Sequence, residues 1–546
     1  WSCELPQLYN AEVVVTADGM VVDSLTEQFG IRSLEFSPEF GFKLNKKKIF
    51  LQGNANHHDL GALGSASYDK AIERMMLQLK SFGYNCIRCS HNPYSDSFAR
   101  IADRVGMLVV DELTDKWSDN DYWGGRQPFT HIWHKLITEW IKRDRNRPSI
   151  ILWSLGNELQ IREGWAGFEG TNDWGITTYN IFNQLVKRWD HTRLTTVAMF
   201  PARAGAITRH DKEFNDYLVP PELACATEVA SFNYQSDKYD AYLKYQPDLI
   251  LFQSEAETSN LLQPYYNMDR KRTVGMAYWG SAEYWGESNK WPKKGWNYSF
   301  FDHTMRPYPQ AYLIKSAFMP EVPEVHIGVV DAAGMESISW NDVIVGRMVL
   351  NECWNHIPGS RQSLFTFTNA HSVELLVNGQ SMGVQQNDTT QANLRNMIYW
   401  KDVPYGNGGS VVAIARDKSG KEVARHRIET AGKAVALRIE AETPTDWKAD
   451  GMDLQYINVT AIDKKGRPVW DYNEPLTLQM EGAAQLVALD NGDHYTDELF
   501  HGITSKRMYQ GRMQIILRST KIPSNVKLKI SSADLKEKLS LKTSLK

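Results

Sequence analysis

Short runs of consecutive apolar residues recur through the first 320 positions. Between them lie stretches in which apolar positions return every three or four residues. The runs predict buried strands at Ile49–Gln52, Asn85–Cys89, Met107–Val110, Ile150–Trp153, Leu194–Ala198, Val229–Phe232, Leu249–Phe252 and Val274–Tyr278. The periodic stretches predict helices, clearest at Ser67–Phe82, Ser95–Val105, Thr130–Arg143, Trp174–Trp189 and Gln310–Phe318. In the first of these, Ile72, Met75, Met76 and Leu79 make one apolar stripe, and Asp69, Glu73 and Lys80 fall off it. Eight strands with crossovers predict a (β/α)8 TIM barrel over residues 41–319. An open doubly wound sheet is the rival, but no Gly-rich phosphate fingerprint follows the first strand.

The flanks read differently. Residues 1–40 hold A-E-V-V-V-T-A and M-V-V-D-S-L-T-E-Q-F-G-I-R-S-L-E-F around an Asp18-Gly19 turn. So few strands rarely make a sandwich alone, so the pattern predicts that the chain begins inside a domain. After Pro320-Glu321-Val322-Pro323 the helical period stops. Short strands and turns such as Asn378-Gly379, Asn407-Gly408 and Asn491-Gly492 then predict two β-sandwiches, 320–432 and 433–546. The fold class expected is α/β plus all-β.

Composition narrows the function classes. A hydrophobic content of 42%, 23% charged residues and a net charge of -4 are those of a water-soluble globular chain, with no reason to expect nucleic acid as partner. No apolar run is long enough for a transmembrane helix. Five scattered cysteines include one C-x-x-C, Cys86 and Cys89, inside a strand and without a second pair at zinc spacing. The 18 Trp and 24 Tyr are many, and aromatic faces stack on the C–H faces of sugars.

In such a barrel the chemistry sits at the C-terminal strand ends. Those ends carry Asn56, His57, His58 and Asp59; Arg88, Ser90, His91 and Asn92; Asp111 and Glu112; Asn157 and Glu158; Asn233 and Tyr234; Glu255 and Glu257; and Trp279. Carboxylates on the fourth and seventh strands suit general acid/base work on a glycosidic bond. By the period of two, Glu255 and Glu257 share a strand face, so the pattern leaves the choice between them open.

L-Q-G-N-A-N-H-H-D, C-I-R-C-S-H-N-P-Y, L-V-V-D-E, W-S-L-G-N-E and F-Q-S-E-A-E-T resemble the successive barrel motifs of glycoside hydrolase family 2, whose members include β-galactosidases, β-glucuronidases and β-mannosidases. L-F-T-F-T-N-A-H-S-V-E-L-L-V-N-G-Q-S-M-G is similar to the sandwich that follows the barrel in many members. W-S-C-E-L-P-Q-L-Y resembles the late strands of the immunoglobulin-like domain that precedes it. The resemblance implies a retaining hydrolase of terminal β-linked sugars, β-D-galactosides foremost, with Glu158 as acid/base and Glu255 as nucleophile. It also implies that Asn157 holds the 2-hydroxyl and Tyr234 donates to the nucleophile. His57, His91 and Asp111 would contact the sugar, and Trp279 would floor its subsite. Its alternatives are a β-mannosidase, a β-glucuronidase or a decorated-galactan hydrolase. A carbohydrate-binding protein with a retired barrel is the alternative of another class.

Two departures refine this. Some β-galactosidases bind magnesium through a Glu and a His after the third strand, where this chain has Lys116 and Ser118, so no metal or other cofactor is expected there. Glucuronidases hold the sugar carboxylate with an Asn-x-Lys pair, where this chain reads Lys294-Gly295-Trp296, with Lys290 and Lys293 nearby. The resemblance further implies an oligo- or polysaccharide substrate, a periplasmic or secreted location, and an N-terminal portion of the same protein that pairs with the sheet of residues 1–40.

Overall fold

The computed structural model describes residues 1–117, 127–159, 175–200, 219–258, 262–288, 291–340 and 343–545. Its chain forms two compact units.

The first unit contains a closed barrel of eight parallel strands: β1 (Leu51–Asn56), β2 (Cys86–Cys89), β3 (Leu108–Glu112), β4 (Ile150–Ser154), β5 (Leu194–Met199), β6 (Val229–Asn233), β7 (Leu251–Ala256) and β8 (Thr273–Trp279). Each strand pairs with its neighbour in sequence, and β8 closes on β1 from Gly275–Leu51 to Trp279–Ala55. Closure needs Gly275, because a Cβ there would lie 2.3 Å from that of Leu51. The helices between strands include α1 (Asp69–Ser81), α2 (Asp96–Val105), α3 (Phe129–Asp144) and α4 (Ile176–Trp189), near the expected positions. Helix α2 starts where Ser95 accepts the Phe98 N–H and stops at Gly106, left-handed at φ 77°. Short helices at Glu222–Ala226, Tyr239–Tyr245 and Leu262–Asn267 were not expected from periodicity, being too short to show it. Trp174, placed at the start of the fourth helix, lies outside the described residues.

Strands β1 and β7 begin two residues later than the apolar runs predict and continue into polar sequence, Q-G-N-A-N and Q-S-E-A. The shift carries Glu255 into the strand itself. The first unit also holds an antiparallel hairpin, Tyr9–Ala17 with Met20–Phe29, turning at Asp18 and Gly19 with φ 52° and 78°. Among the described residues these two strands pair only with each other, and Val13, Val14, Val15, Val21 and Val22 are exposed. Leu34–Ser37, Gly41–Leu44 and Lys47–Lys48 make a separate three-stranded sheet.

The second unit is mostly β. Two four-stranded sheets enclose a core that includes Trp354, Leu364, Val373, Leu375 and Trp400. Two more, drawn from residues 436–542, enclose Trp447, Ile457, Leu478, Ile515 and Leu528. Both are the sandwiches expected from the short strands and turns. Among the described residues no helix is long and apolar enough to cross a membrane.

Candidate active site

Arg88 organises the C-terminal mouth of the barrel. It is wholly buried near the end of β2 and spends its guanidinium on two other strands and the turn after β4. Nε donates to Glu112 Oε2 at 3.0 Å, Nη1 to Glu255 Oε1 at 2.7 Å, and Nη2 to Asn157 Oδ1 at 2.8 Å. Nη2 also reaches Glu112 Oε1 at 3.1 Å. Burying one cation with two carboxylates is tolerable only because nearly every donor and acceptor is matched.

Glu112 shows the balance. Burial alone would raise its carboxyl pKa, but the Arg88 charge, the His91 ring and the Ser154 hydroxyl together hold it below the usual value. The same environment pushes the Arg88 guanidinium further up, the two carboxylates outweighing its desolvation.

Glu255 sits near the end of β7 with both oxygens engaged, Oε1 by Arg88 and Oε2 by the Tyr234 hydroxyl at 2.6 Å. Asn157 accepts from Arg88 and from Asn233 Nδ2 (3.0 Å), while its own amide donates to Asp115 Oδ1 at 2.9 Å. Ser254 completes the chain by donating to Asn233 Oδ1 at 2.7 Å. Asp115 is drawn down to about 2: its burial is outweighed by His91, Lys116 and Asn157. Lys116 Nζ stands 2.7 Å from Asp115 Oδ1 and 4.0 Å from Glu158 Oε2.

The G-N-E turn after β4 is set by packing beneath it. Trp117 Nε1 donates to Leu155 O at 2.7 Å, and a side chain at Gly156 would meet that indole nitrogen at 2.8 Å. Glu158 and Tyr234 both take left-handed backbone, φ 48° and 58°, unusual for non-glycine residues and common where a site over-determines the chain. His57, His91 and Trp279 form an aromatic wall. His91 stacks on Trp279 at 5.3 Å and 6°, and His57 meets the same indole edge-on at 5.1 Å.

The structure thus brings together Glu255, Asn157, Tyr234 and His91 by direct bonds or close approach, with Lys116 reaching Glu158 and the aromatic wall carrying His57 and Trp279. It does not bring Asp111. That side chain points away from the barrel interior, its Oδ2 accepting from Trp140 Nε1 of α3 at 2.6 Å. Its pKa rises well above the usual value through burial and the neighbouring Asp144. Asp111 was expected to contact sugar; its carboxylate accepts from Trp140, while the adjacent Glu112 faces Arg88, because successive strand residues face opposite ways. Glu257 lies beyond the end of β7.

Sequence reasoning placed Arg88 and Glu112 among the polar strand ends without giving either a role, and it passed over Asp115 and Ser254. Their shared signal is a polar residue inside an apolar strand or directly after it. Among the described residues, the groups of three donors able to share an ion lie outside this cluster. Ser118 and Lys290 lie outside the described residues.

The chain matches the family description "Glycosyl hydrolases family 2, TIM barrel domain" over residues 39–274. It also matches "Glycoside hydrolase family 2 C-terminal domain 5" over 437–539 and "Glycosyl hydrolases family 2" over 1–32. Residues 359–424 match a domain of unknown function, DUF4982. It is 26% identical to the β-galactosidase BoGH2A of Bacteroides ovatus over 600 residues, covering 98% of this chain and 66% of that one. It is 27% identical to a putative β-glucuronidase of Formosa agariphila over 572 residues, covering 96% of this chain and 51% of that one. The chain therefore spans about half to two thirds of the length of these relatives. A crystal structure of a glycosyl hydrolase family 2 member from Bacteroides cellulosilyticus superimposes with a TM-score of 0.87 at 28% identity, covering all of this chain and 69% of that one. On the barrel match and the matches that flank it, this chain belongs to glycoside hydrolase family 2.

Proposed function

We propose that the chain is the catalytic portion of a retaining β-glycosidase acting on terminal β-D-galactosides by double displacement. The observation that carries this reading is the doubly held carboxylate of Glu255, clamped by Arg88 and Tyr234 at the end of β7. The β-galactosidase relative that matches nearly all of this chain supports the choice of sugar. Two anchors fix the orientation of a nucleophile before the substrate arrives, which is the geometry an attack within a bound complex needs.

In the first step a Glu255 oxygen forms a bond to the anomeric carbon as the bond from that carbon to the leaving oxygen breaks. The proton on Glu158 moves to that leaving oxygen. In the second step Glu158 takes a proton from water, the water oxygen bonds to the anomeric carbon, and Glu255 is released as carboxylate. This reading requires the two carboxyl groups to lie roughly 5–5.5 Å apart. Asn157 would hold the 2-hydroxyl, and the wall of His57, His91 and Trp279 would meet a sugar face.

Kinetics separate the two carboxylates. Glu158→Gln should retain most activity on glycosides with activated leaving groups and lose it on those with poor ones, since only the latter need protonation. Glu255→Gln should lose both, because no glycosyl-enzyme can form. Equal losses on both substrate types in Glu158→Gln would remove that residue from the acid role. A panel of β-galactoside, β-mannoside and β-glucuronide substrates tests the sugar, and no turnover of any would favour a binding protein instead.

A further inference from the structure

We propose that Glu283, His303 and His494 form a binding site for a zinc-class divalent cation, a site the glycosidase reading does not use. Glu283 lies four residues beyond β8, His303 lies further along the same segment, and His494 follows the strand Ala484–Asp490 of the second sandwich. All three side chains are shut off from water. Glu283 Oε2 stands 3.1 Å from His303 Nδ1 and 3.0 Å from His494 Nδ1.

The other nitrogen of each ring is already committed. His303 Nε2 is 2.8 Å from Asp490 Oδ1, and His494 Nε2 is 2.7 Å from the Gly295 carbonyl oxygen. Both neighbours are acceptors, so each ring carries a hydrogen on Nε2. Each Nδ1 then aims a lone pair at a carboxylate oxygen, which is repulsive unless a positive charge lies between. Either both rings hold a second proton or a cation sits among the three atoms.

Four features favour the cation. Ligand atoms around a tetrahedral ion with bonds of about 2.0–2.1 Å lie roughly 3.3 Å from each other, close to the two separations here. Histidines that bind metals donate their remaining N–H to a carboxylate or a backbone carbonyl, which is the arrangement at both rings. Glu283 Oε1 is fixed by the Tyr308 hydroxyl at 2.7 Å, leaving Oε2 as the single oxygen turned toward the rings. A cavity of about 20 Å³, lined by Glu283, His303 and Asp490 but not by His494, has room for one water beside the group. The rival arrangement would bury two imidazolium rings side by side, with Arg347 Nη1 a third cation 3.8 Å from Glu283 Oε1.

The ion would clip the segment after the barrel to the second sandwich, as a structural site does. The test uses the full chain, stripped with a chelator, dialysed, and titrated with Zn²⁺ by calorimetry, with Co²⁺ absorption as a spectroscopic probe on the same protein. One ion per chain is expected, with a higher melting midpoint when it binds and a Co²⁺ ligand-field band. His494→Gln should abolish the band, and Asp490→Asn should weaken binding about 10–100-fold. His426→Gln, in a second His–carboxylate group where Nδ1 already accepts the Ile327 N–H at 3.0 Å, should change nothing. The proposal is overturned if the stripped chain takes up no stoichiometric Zn²⁺, or if His494→Gln binds it equally well. It is likewise overturned if Zn²⁺ leaves melting unchanged while stability falls as pH rises through the histidine range, the mark of a protonated pair.

Discussion

Replacing Arg88 by Met tests whether the barrel mouth is built on that guanidinium. Methionine fills much of the same volume but removes the charge and every N–H. Glu112 would keep His91 and Ser154, and Glu255 would keep the Tyr234 hydroxyl with His91 Nε2 more distant at 3.8 Å. The Arg88 and Glu112 side chains are at most 1% exposed and that of Glu255 4%, so solvent cannot replace what is lost. Removing one partner of such a buried pair costs about 3–5 kcal/mol. For a barrel of ~250 residues each kcal/mol moves the melting midpoint ~2 °C, so a fall of roughly 6–10 °C is expected.

Activity should fall further than stability. With one anchor gone, a shift of the Glu255 carboxylate by about 1 Å would lower kcat about 10²-fold. Arg88→Lys keeps the charge but not the fork that reaches two carboxylates and an amide, so it should recover part of the melting loss and little of the rate. The acid side adds a sign. Glu112 contributes stability above its unfolded pKa, lost as pH falls, because Arg88 overcomes the effect of burial. Without Arg88 that pull disappears, and acid unfolding should begin at higher pH. Thermal melting from pH 4 to 8 and steady-state kinetics on an aryl glycoside check all three. An Arg88→Met protein melting within about 2 °C of the native one, with kcat within about threefold, would refute the reasoning.

Two further substitutions follow from the placement of single carboxylates. Asp111→Asn should leave KM and kcat unchanged within about twofold, because Asp111 faces Trp140. Its raised pKa means that stability is full below the unfolded value of about 3.9 and is lost as pH rises. The variant should therefore out-melt the native protein by a margin that widens from pH 4 to 8, and a raised KM would restore Asp111 to the sugar site. Asp115, drawn down to about 2, contributes above the unfolded value and loses its contribution between about pH 4 and 2. Asp115→Asn should lower the melting midpoint by roughly 1–2 °C at neutral pH and flatten its acid dependence, and an unchanged pH profile would contradict this.

The barrel was legible because Ile150–Trp153 and its counterparts are buried on both faces and so read as unbroken apolar runs. The same rule misplaced β1 and β7. Polar residues such as Asn54, Asn56, Gln253 and Glu255 are buried in these strands, and an apolar run cannot report a strand that continues through Q-G-N-A-N. The choice of Asp111 over Glu112 shows a second limit. L-V-V-D-E is apolar on both faces before its acids, so alternation cannot say which acid faces inward, and only Trp140 on one side and Arg88 on the other distinguish them. Glu283, His303 and His494 are beyond any spacing rule, since the last lies 211 positions from the first.

The site's bonds have an order that bears on catalysis. Arg88, Glu112, Ser154, Asn157, Asn233, Ser254 and Glu255 form one connected hydrogen-bonded set drawn from β2, β3, β4, β6, β7 and the turn after β4. A buried network of this kind holds its members in one geometry only while every link is satisfied. The two residues in left-handed backbone, Glu158 and Tyr234, follow the ends of β4 and β6, where the strands can hold them in conformations they would leave if isolated. Tyr234 uses its position to reach Glu255, and its backbone N–H donates to the Glu255 carbonyl at 2.8 Å, so Glu255 is tied to the end of β6 through both its side chain and its main chain. On the mechanism proposed above, such a carboxylate would need no reorganisation at the moment of attack, because the groups that orient it are in place before a sugar binds.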